Sequence, residues 1–317
     1  MGEEQGSLSK AEAVASCTAL ASLYVAILYA PTLLLRLPPP ANFRIFMIRR
    51  FICASICSVI SIAVTALILP TKSWNLSYLL RVYGVRFDHL WQAMVFPLFL
   101  TSLVYSGSIL LKAFLLIDEL KELNARGEGV IQHLNQQLCG WIYATVSNVI
   151  AWRNYVVAPL TEELVFRACI VPLLLCGGFS TYTTMFLGPI FFSLAHLNHL
   201  MEICSQGDWA ISKALTIVGI QLCYTVLFGS FASFLFIRTG HLMSPIAAHI
   251  LCNFMGLPLP YSGRNGLVTV AFLVGVVSFI YLAFPLTRPE LYNDNPIDTC
   301  GCWHVYCSQF LPTSGFH

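Results

Sequence analysis

The chain has 317 residues, of which 57% are hydrophobic and only 10% are charged, and its formal net charge is +2. Soluble domains carry about 25% charged residues, so this chain has too few charges to cover a water-facing surface. The composition excludes a soluble globular enzyme. It also excludes a nucleic-acid-binding protein, because no basic patch is present. We therefore expect a polytopic membrane protein of the all-α class.

Nine apolar runs predict the helices of a transmembrane bundle. A helix needs about 20 residues to cross the hydrocarbon core of a bilayer. The fourth run is shorter and contains Ser147 and Asn148, so we expect it to lie along the interface or to enter the membrane only partway. The prediction is about eight full spans, from runs near residues 13–35, 51–69, 91–117, 138–151, 154–177, 180–200, 211–237, 242–258 and 266–286.

The loop after the first predicted span is basic. It contains Arg44, Arg49 and Arg50, and the positive-inside rule assigns such a loop to the cytosol. The N-terminus is then lumenal. The next loop carries the glycosylation sequon Asn75-Leu76-Ser77 and faces the lumen, as a used sequon requires. No cleavable signal peptide is indicated, so the first span is expected to act as a signal-anchor.

We divide the chain into three parts. Residues 1–50 form an N-terminal segment with the first span and the basic loop, and residues 51–292 form the membrane domain, with its motifs concentrated in 150–260. Residues 293–317 form a polar tail that we expect to be poorly ordered. The tail could also hold a metal or a palmitoyl group, because it contains Cys300, Cys302, His304 and Cys307.

Two adjacent glutamates, Glu162 and Glu163, lie inside an apolar run and are followed by Arg167. A charged side chain at the bilayer centre costs roughly 2.5–3.5 kcal/mol, so the pair indicates a functional site. Glu163 and Arg167 have the i,i+4 spacing and order that favour an ion pair. Glu162 lies about 100° around the helix from Glu163 and has no such partner. It is the candidate general base.

Polar side chains recur on two later runs. His196 lies late in one of them, and His249 and Asn253 lie one turn apart on the same face of another. A single intramembrane histidine is often only an interhelical hydrogen bonder. Together with Glu162, these residues form a set of complementary chemistry. We assign a structural or interfacial role to His199 and His241. Each lies near a helix end, where its ring is easily hydrated.

The set predicts hydrolysis of an amide bond. Glu162 with His196 can deprotonate a water that attacks the carbonyl carbon. His249 and Asn253 can stabilise the oxyanion, an effect worth about 3–4 kcal/mol per donor. The zinc-protease pattern H-E-x-x-H is absent from the sequence. A metal held by His196, His249 and a glutamate remains an alternative that the spacing does not require, and we predict no metal and no cofactor.

Three motifs resemble those of the CAAX protease and bacteriocin-processing family of intramembrane proteins. Two flanking runs, 153–161 and 234–242, are similar to the eukaryotic members of that family. The resemblance covers roughly residues 90–292, and neither the first 50 residues nor the tail carries it. The motifs are Glu162-Glu163-x-x-x-Arg167, Phe192-x-x-x-His196 and His249-x-x-x-Asn253.

The resemblance implies a multi-pass protease of the endoplasmic reticulum membrane. Its implied partners, besides the lipid bilayer, are CAAX proteins with a farnesylated or geranylgeranylated cysteine, from which it would remove the last three residues. Two alternatives stay open: a non-proteolytic scaffold of the same fold, and a proton-coupled transporter with a Glu162–His196 relay. The resemblance also implies that Glu162 and His196 activate water, that His249 and Asn253 form the oxyanion site, and that Glu163, Arg167 and Phe192 support the site.

Overall fold

The structure is a computed structural model that describes residues 8–69, 76–127, 129–195, 211–262 and 266–293. Every regular element in these ranges is helical, which confirms the all-α class. The first half contains α1 (Lys10–Ala26), α2 (Phe43–Ile68), α3 (Leu76–Val82), α4 (Leu90–Val104), α5 (Ser106–Ala125) and α6 (Val130–Ser147). The second half contains α7 (residues 149–176), α8 (Thr181–Ala195), α9 (Ile211–Thr239), α10 (Met243–Met255) and α11 (Gly266–Ala283).

Several of these helices are suited to cross a bilayer. Among the described residues, four are long and apolar enough, and α4 with α5 adds a fifth if the two form one span. The chain is therefore a membrane protein, but the prediction of about eight spans is not confirmed. The other predicted spans fall on α7, which is not one regular helix, on α10, which has 13 residues, and on α8, which is described only to Ala195. The four helices are Lys10–Leu33, Phe43–Ile68, Val218–Thr239 and Gly266–Ala283.

The predicted run 91–117 bends sharply, because α4 and α5 meet at 80°. Tyr105 lies at the bend, and its hydroxyl donates to the carbonyl of Gly256 at the end of α10, at 2.6 Å. The hydroxyl of Ser106 donates to the carbonyl of Ala271 on α11, also at 2.6 Å. Contacts with two other helices therefore hold the bend, and the hydropathy of the run does not reveal them.

Helix α6 contains most of the run that we expected not to cross the membrane, and it is not among the candidate spans. None of its residues is buried. Its polar side contacts α5, where Gln137 donates to the carboxylate of Glu119 at 2.7 Å. The same helix exposes Trp141 and Tyr143. Exposed aromatic residues beside polar ones are typical of a membrane–water interface.

Helix α7 is the centre of the bundle. Its residues 165–175 are all buried, as expected of a helix that is surrounded on every side. Helices α1 and α2 pack against it just before the glutamates. Tyr24 and Thr161 join their hydroxyls at 3.0 Å, and Ser58 donates to the carbonyl of Thr161 at 3.4 Å. The N-terminal segment therefore shares one core with the motif-bearing helices.

Helix α7 changes its hydrogen-bonding pattern twice. It is π-helical over Arg153–Val157 and again over Leu164–Cys169. In the first π segment the N–H of Ala158 donates to the carbonyl of residue 153, and Pro159 has no N–H to offer to the carbonyl of Asn154. Single π turns inside α-helices are frequent at functional sites. The result is a backbone carbonyl that is open to a side-chain donor.

Two predicted features away from the motifs fall outside the described residues. The Cys-rich cluster of the tail lies in residues 294–317, and Asn75 of the sequon lies in residues 70–75.

Candidate active site

The predicted ion pair between Glu163 and Arg167 is present and buried. The Glu163 side chain is 0% exposed and that of Arg167 is 1% exposed. The Arg167 Nε lies 3.1 Å from Glu163 Oε2, and Nη1 donates to Oε1 at 3.1 Å. Only the Nη1–Oε1 contact is a hydrogen bond, whereas Nε and Oε2 are close in distance but have no hydrogen-bond partner among the described residues. Each charge therefore offsets the cost of burying the other.

Aromatic rings and one carbonyl complete the surroundings of Arg167. Its guanidinium lies 4.9 Å from the ring centre of Phe192, the motif residue on α8, and 6.0 Å from that of Phe228 on α9. These are cation–π distances. Its Nη2 donates to the carbonyl of Gly229 at 3.4 Å. A Cβ at Gly229 would lie 2.9 Å from the Cβ of Pro189, so a glycine is needed for this close approach.

His249 connects the two glutamates. Its Nδ1 lies 2.7 Å from Glu163 Oε1, and its Nε2 lies 3.8 Å from Glu162 Oε2. The ring packs edge-on against Phe228, with centroids 4.9 Å apart. Because an ionised carboxylate only accepts hydrogen bonds, Nδ1 carries a proton. The two nitrogens of the ring thus face two different acids.

Glu162 is the more accessible of the two glutamates. Its side chain is 16% exposed, whereas that of Glu163 is fully buried. Among the described residues, no lysine or arginine forms an ion pair with Glu162. Its nearest ionisable neighbour among them is the imidazole of His249, at 3.8 Å. The two adjacent acids therefore have different environments, as the helical offset between them predicts.

Asn253 lies one turn beyond His249 on α10 and is exposed. Its Nδ2 donates to the carbonyl of Asn154 at 2.8 Å, which is the carbonyl that Pro159 leaves without its helical partner. A primary amide has two N–H groups. The second N–H of Asn253 has no hydrogen-bond partner among the described residues. The sequence interpretation missed the role of Asn154, although a proline five residues later is a visible signal for such a free carbonyl.

The structure brings Glu162, Glu163, Arg167 and His249 together from two helices and connects Asn253 to the start of α7. His196 and His199 lie outside the described residues, so the pairing of Glu162 with His196 stays a prediction. Within the ranges that the structure describes, no group of three or more histidine, cysteine or acidic side chains is arranged to hold a metal ion.

His241 does not belong to this cluster. It lies between α9 and α10 and is 0% exposed, so its burial agrees with the structural role and not with the interfacial one. Burial lowers the pKa of His241 to about 4, and the nearby guanidinium of Arg86 acts in the same direction. The ring is therefore neutral at neutral pH, in a structural position.

Residues 133–255, which contain the site residues named above, match the family described as type II CAAX prenyl endopeptidase, Rce1-like. Over 310 residues the chain is 54% identical to CAAX prenyl protease 2 of Arabidopsis thaliana, which covers 97% of this chain and 99% of that relative. The chain belongs to the Rce1-like family of CAAX prenyl endopeptidases.

More distant members of the Rce1-like family match as well. CAAX prenyl protease 2 of Homo sapiens is 34% identical over 294 residues, covering 90% of this chain and 84% of the relative. The protein of that name from Caenorhabditis elegans is 31% identical over 245 residues, covering 74% and 84%. No solved structure matches the chain. The 97% coverage also shows that the likeness extends into the first 50 residues, where the sequence interpretation had found none.

Proposed function

We propose that this Rce1-like protein is an endopeptidase of the endoplasmic reticulum membrane that removes the last three residues from prenylated CAAX proteins. The observation that carries the proposal is the position of His249 between two glutamates. Glu163 forms an ion pair with Arg167, and Glu162 is accessible. A purely structural ion pair needs only Glu163 and Arg167. The second acid and the imidazole add groups that hydrolysis uses.

The position of His249 supports a donor role. Its ring lies between the carboxylates of Glu162 and Glu163, and Arg167 pairs with Glu163. With Nδ1–H held by Glu163, only the protonated ring presents a second N–H, at Nε2. That N–H and the free N–H of Asn253 supply two donors for the carbonyl oxygen as it becomes an oxyanion.

Glu162 is the proposed general base, together with His196. It takes a proton from a water, and the resulting hydroxide attacks the carbonyl carbon of the prenylated cysteine. The C–N bond to the next residue breaks, and the proton passes to the leaving amine. Glu162 is suited to this role because it is partly exposed and forms no ion pair with a lysine or arginine in the described chain.

The direction of the helices supports access from the cytosol. The Lys10 ammonium lies over the ring of Phe179, 5.6 Å from its centre, while Tyr24 reaches Thr161. Helices α1 and α7 are therefore antiparallel. The arginines of the predicted basic loop, which the structure places in the first turns of α2, lie at the same end of the bundle as Asn253. If that loop is cytosolic, the site opens toward the compartment in which CAAX proteins are made, while their prenyl chain stays in lipid.

The test is an assay of the purified protein in nanodiscs with a farnesylated CAAX peptide, in the presence of a chelator. We expect release of the C-terminal tripeptide, detected by mass spectrometry. The same peptide without the prenyl group is the matched substrate control, and Glu162→Gln is the matched protein control. Neither control is expected to give the tripeptide at a comparable rate.

The alternatives give different results in the same preparation. A scaffold binds the peptide and releases nothing. A transporter gives a proton flux that depends on Glu162 and does not release the tripeptide. A zinc enzyme loses activity with the chelator and regains it when zinc is added. Each of these results would contradict the proposed mechanism.

A further inference from the structure

Arg153 stands at the end of a series of contacts that begins at the proposed oxyanion site. The amide of Asn253 donates to the carbonyl of Asn154, and the side-chain oxygen of Asn154 accepts from Arg153 Nε at 2.9 Å. The Arg153 side chain is exposed. It forms no ion pair with any acid of the described chain, and this is its single side-chain hydrogen bond. Both of its Nη groups are therefore available to a ligand.

The distance between Arg153 and the reaction site matches the length of the released tripeptide. Residues 153 and 162 are nine positions apart on α7. At 1.5 Å per residue, their Cα atoms are about 13 Å apart along the helix axis. Nine residues are about two and a half turns, so the two side chains leave α7 on different sides, and the contacts through Asn154 and Asn253 connect Arg153 to the side of the site. Three extended residues span about 10 Å. If the scissile bond lies beside Glu162 and the peptide runs toward the start of α7, its terminal carboxylate comes within reach of the Arg153 side chain.

The local charges favour this direction. Glu162 and Glu163 repel a carboxylate at the reaction centre itself. A second cation, Lys112 on α5, lies against the end of α10, where its ammonium is 5.2 Å from the ring centre of Phe254 and 3.6 Å from the sulfur of Met255. A guanidinium is planar and binds a carboxylate through two parallel hydrogen bonds, which an ammonium does not do.

We propose that Arg153 binds the C-terminal carboxylate of the substrate and thereby restricts cleavage to the third bond from a free chain end. This inference rests on the proposed function. It explains how a site built for hydrolysis of an ordinary amide bond avoids internal peptide bonds. Selectivity arises because only a true C-terminus brings a negative charge to this distance from the scissile bond.

The experiment compares two farnesylated CAAX peptides, one with a free C-terminal carboxylate and one that is amidated. Their kcat/KM values are measured for the wild type, Arg153→Gln, Arg153→Lys and Lys112→Gln, with thermal unfolding as a check on folding. We expect Arg153→Gln to lower kcat/KM for the acid about 10- to 100-fold and to leave that for the amide essentially unchanged. Arg153→Lys should retain part of the preference for the acid, and Lys112→Gln should retain all of it.

Several results would overturn the role of Arg153. One is an equal loss for both peptides, which a structural role gives. A second is that the wild type cleaves both peptides equally well. A third is that the preference for the acid peptide over the amide disappears in Lys112→Gln and not in Arg153→Gln. A wild type that cleaves neither peptide contradicts the proposed function itself and, with it, the role of Arg153. If Arg153→Gln does not fold, the ratio of acid to amide cleavage by Arg153→Lys decides, and an unchanged ratio overturns the proposal.

Discussion

At the scale of single residues, Glu162 and Glu163 differ in what holds them. Glu163 is fixed by Arg167 and His249, whereas the ion-pair contact of Glu162 within the described residues is with the imidazole, and its side chain is partly exposed. We expect Glu162→Ala to abolish cleavage and to leave folding intact, because loss of a carboxylate without an arginine partner relieves a desolvation cost. Tripeptide release and the melting temperature in detergent check both parts. Normal cleavage by this variant would remove Glu162 from the mechanism.

Arg167→Ala is expected to act on stability as well as on activity. It leaves Glu163 as a fully buried charge without its cation, and such a loss costs about 3–5 kcal/mol. It also removes the cation that lies against Phe192. The measurement is thermal unfolding of Arg167→Ala beside Glu162→Ala in the same detergent. If Glu162→Ala unfolds and Arg167→Ala does not, the roles of base and support are reversed.

Asn253 donates one N–H to the carbonyl of Asn154, and its other N–H has no partner within the described part of the chain. Loss of a single oxyanion donor lowers turnover about 100- to 1,000-fold, and we expect this reduction in kcat for Asn253→Ala. Asn253→Asp is the matched variant, because it keeps the size of the side chain and removes both N–H groups. The base is untouched in both, so slow turnover should persist. Unchanged kcat in both variants would show that Asn253 is no donor.

At the scale of secondary structure, the π segment at the start of α7 controls the orientation of Asn253. Pro159→Ala supplies an N–H that competes with Asn253 for the carbonyl of Asn154. We expect lower turnover without loss of stability, because alanine is the better residue inside a helix. In an Asn253→Ala background, Pro159→Ala should have no further effect on kcat. Additive effects in the double variant would show that the two residues act independently.

Local spacing predicted part of the site. The Glu163–Arg167 pair and the common face of His249 and Asn253 follow from the period of one helix, and the structure has the pair in contact. The contact of His249 with Glu163 could not be predicted, because periodicity within one helix gives no distance between two helices. The interpretation therefore assigned Glu163 to Arg167 alone.

The same limit applies to the elements. Apolar runs predicted where the helices are, since burial in lipid or protein selects the same residues. They did not predict the 80° bend at Tyr105, which depends on a hydrogen bond to Gly256. They also did not predict the π segments of α7. Such breaks arise from tertiary contacts and from single prolines, and they leave hydropathy unchanged.

At the scale of the whole molecule, the buried polar groups fall into two environments. Around α7, the acids are matched by Arg167 and His249. Near the turn between α9 and α10, His241 is buried beside Arg86, whose guanidinium pairs with Asp88. The first environment holds charge within the bundle, and the second keeps an imidazole neutral. Addition of a proton to this imidazole is expected to weaken the fold.

The neutral His241 predicts how stability depends on pH. Its pKa in the folded protein is about 4, below the ordinary value of about 6.5, so the unfolded chain binds the extra proton first. Stability should be fully present above about pH 6.5 and should fall as the pH drops toward 4, by on the order of 2–3 kcal/mol. Thermal unfolding of the wild type and of His241→Phe between pH 7 and 4 measures this loss of stability. The variant is expected to lose less stability over that range and to keep its activity at pH 7, because the ring lies outside the site. Equal losses in the two proteins would assign the acid sensitivity to other groups.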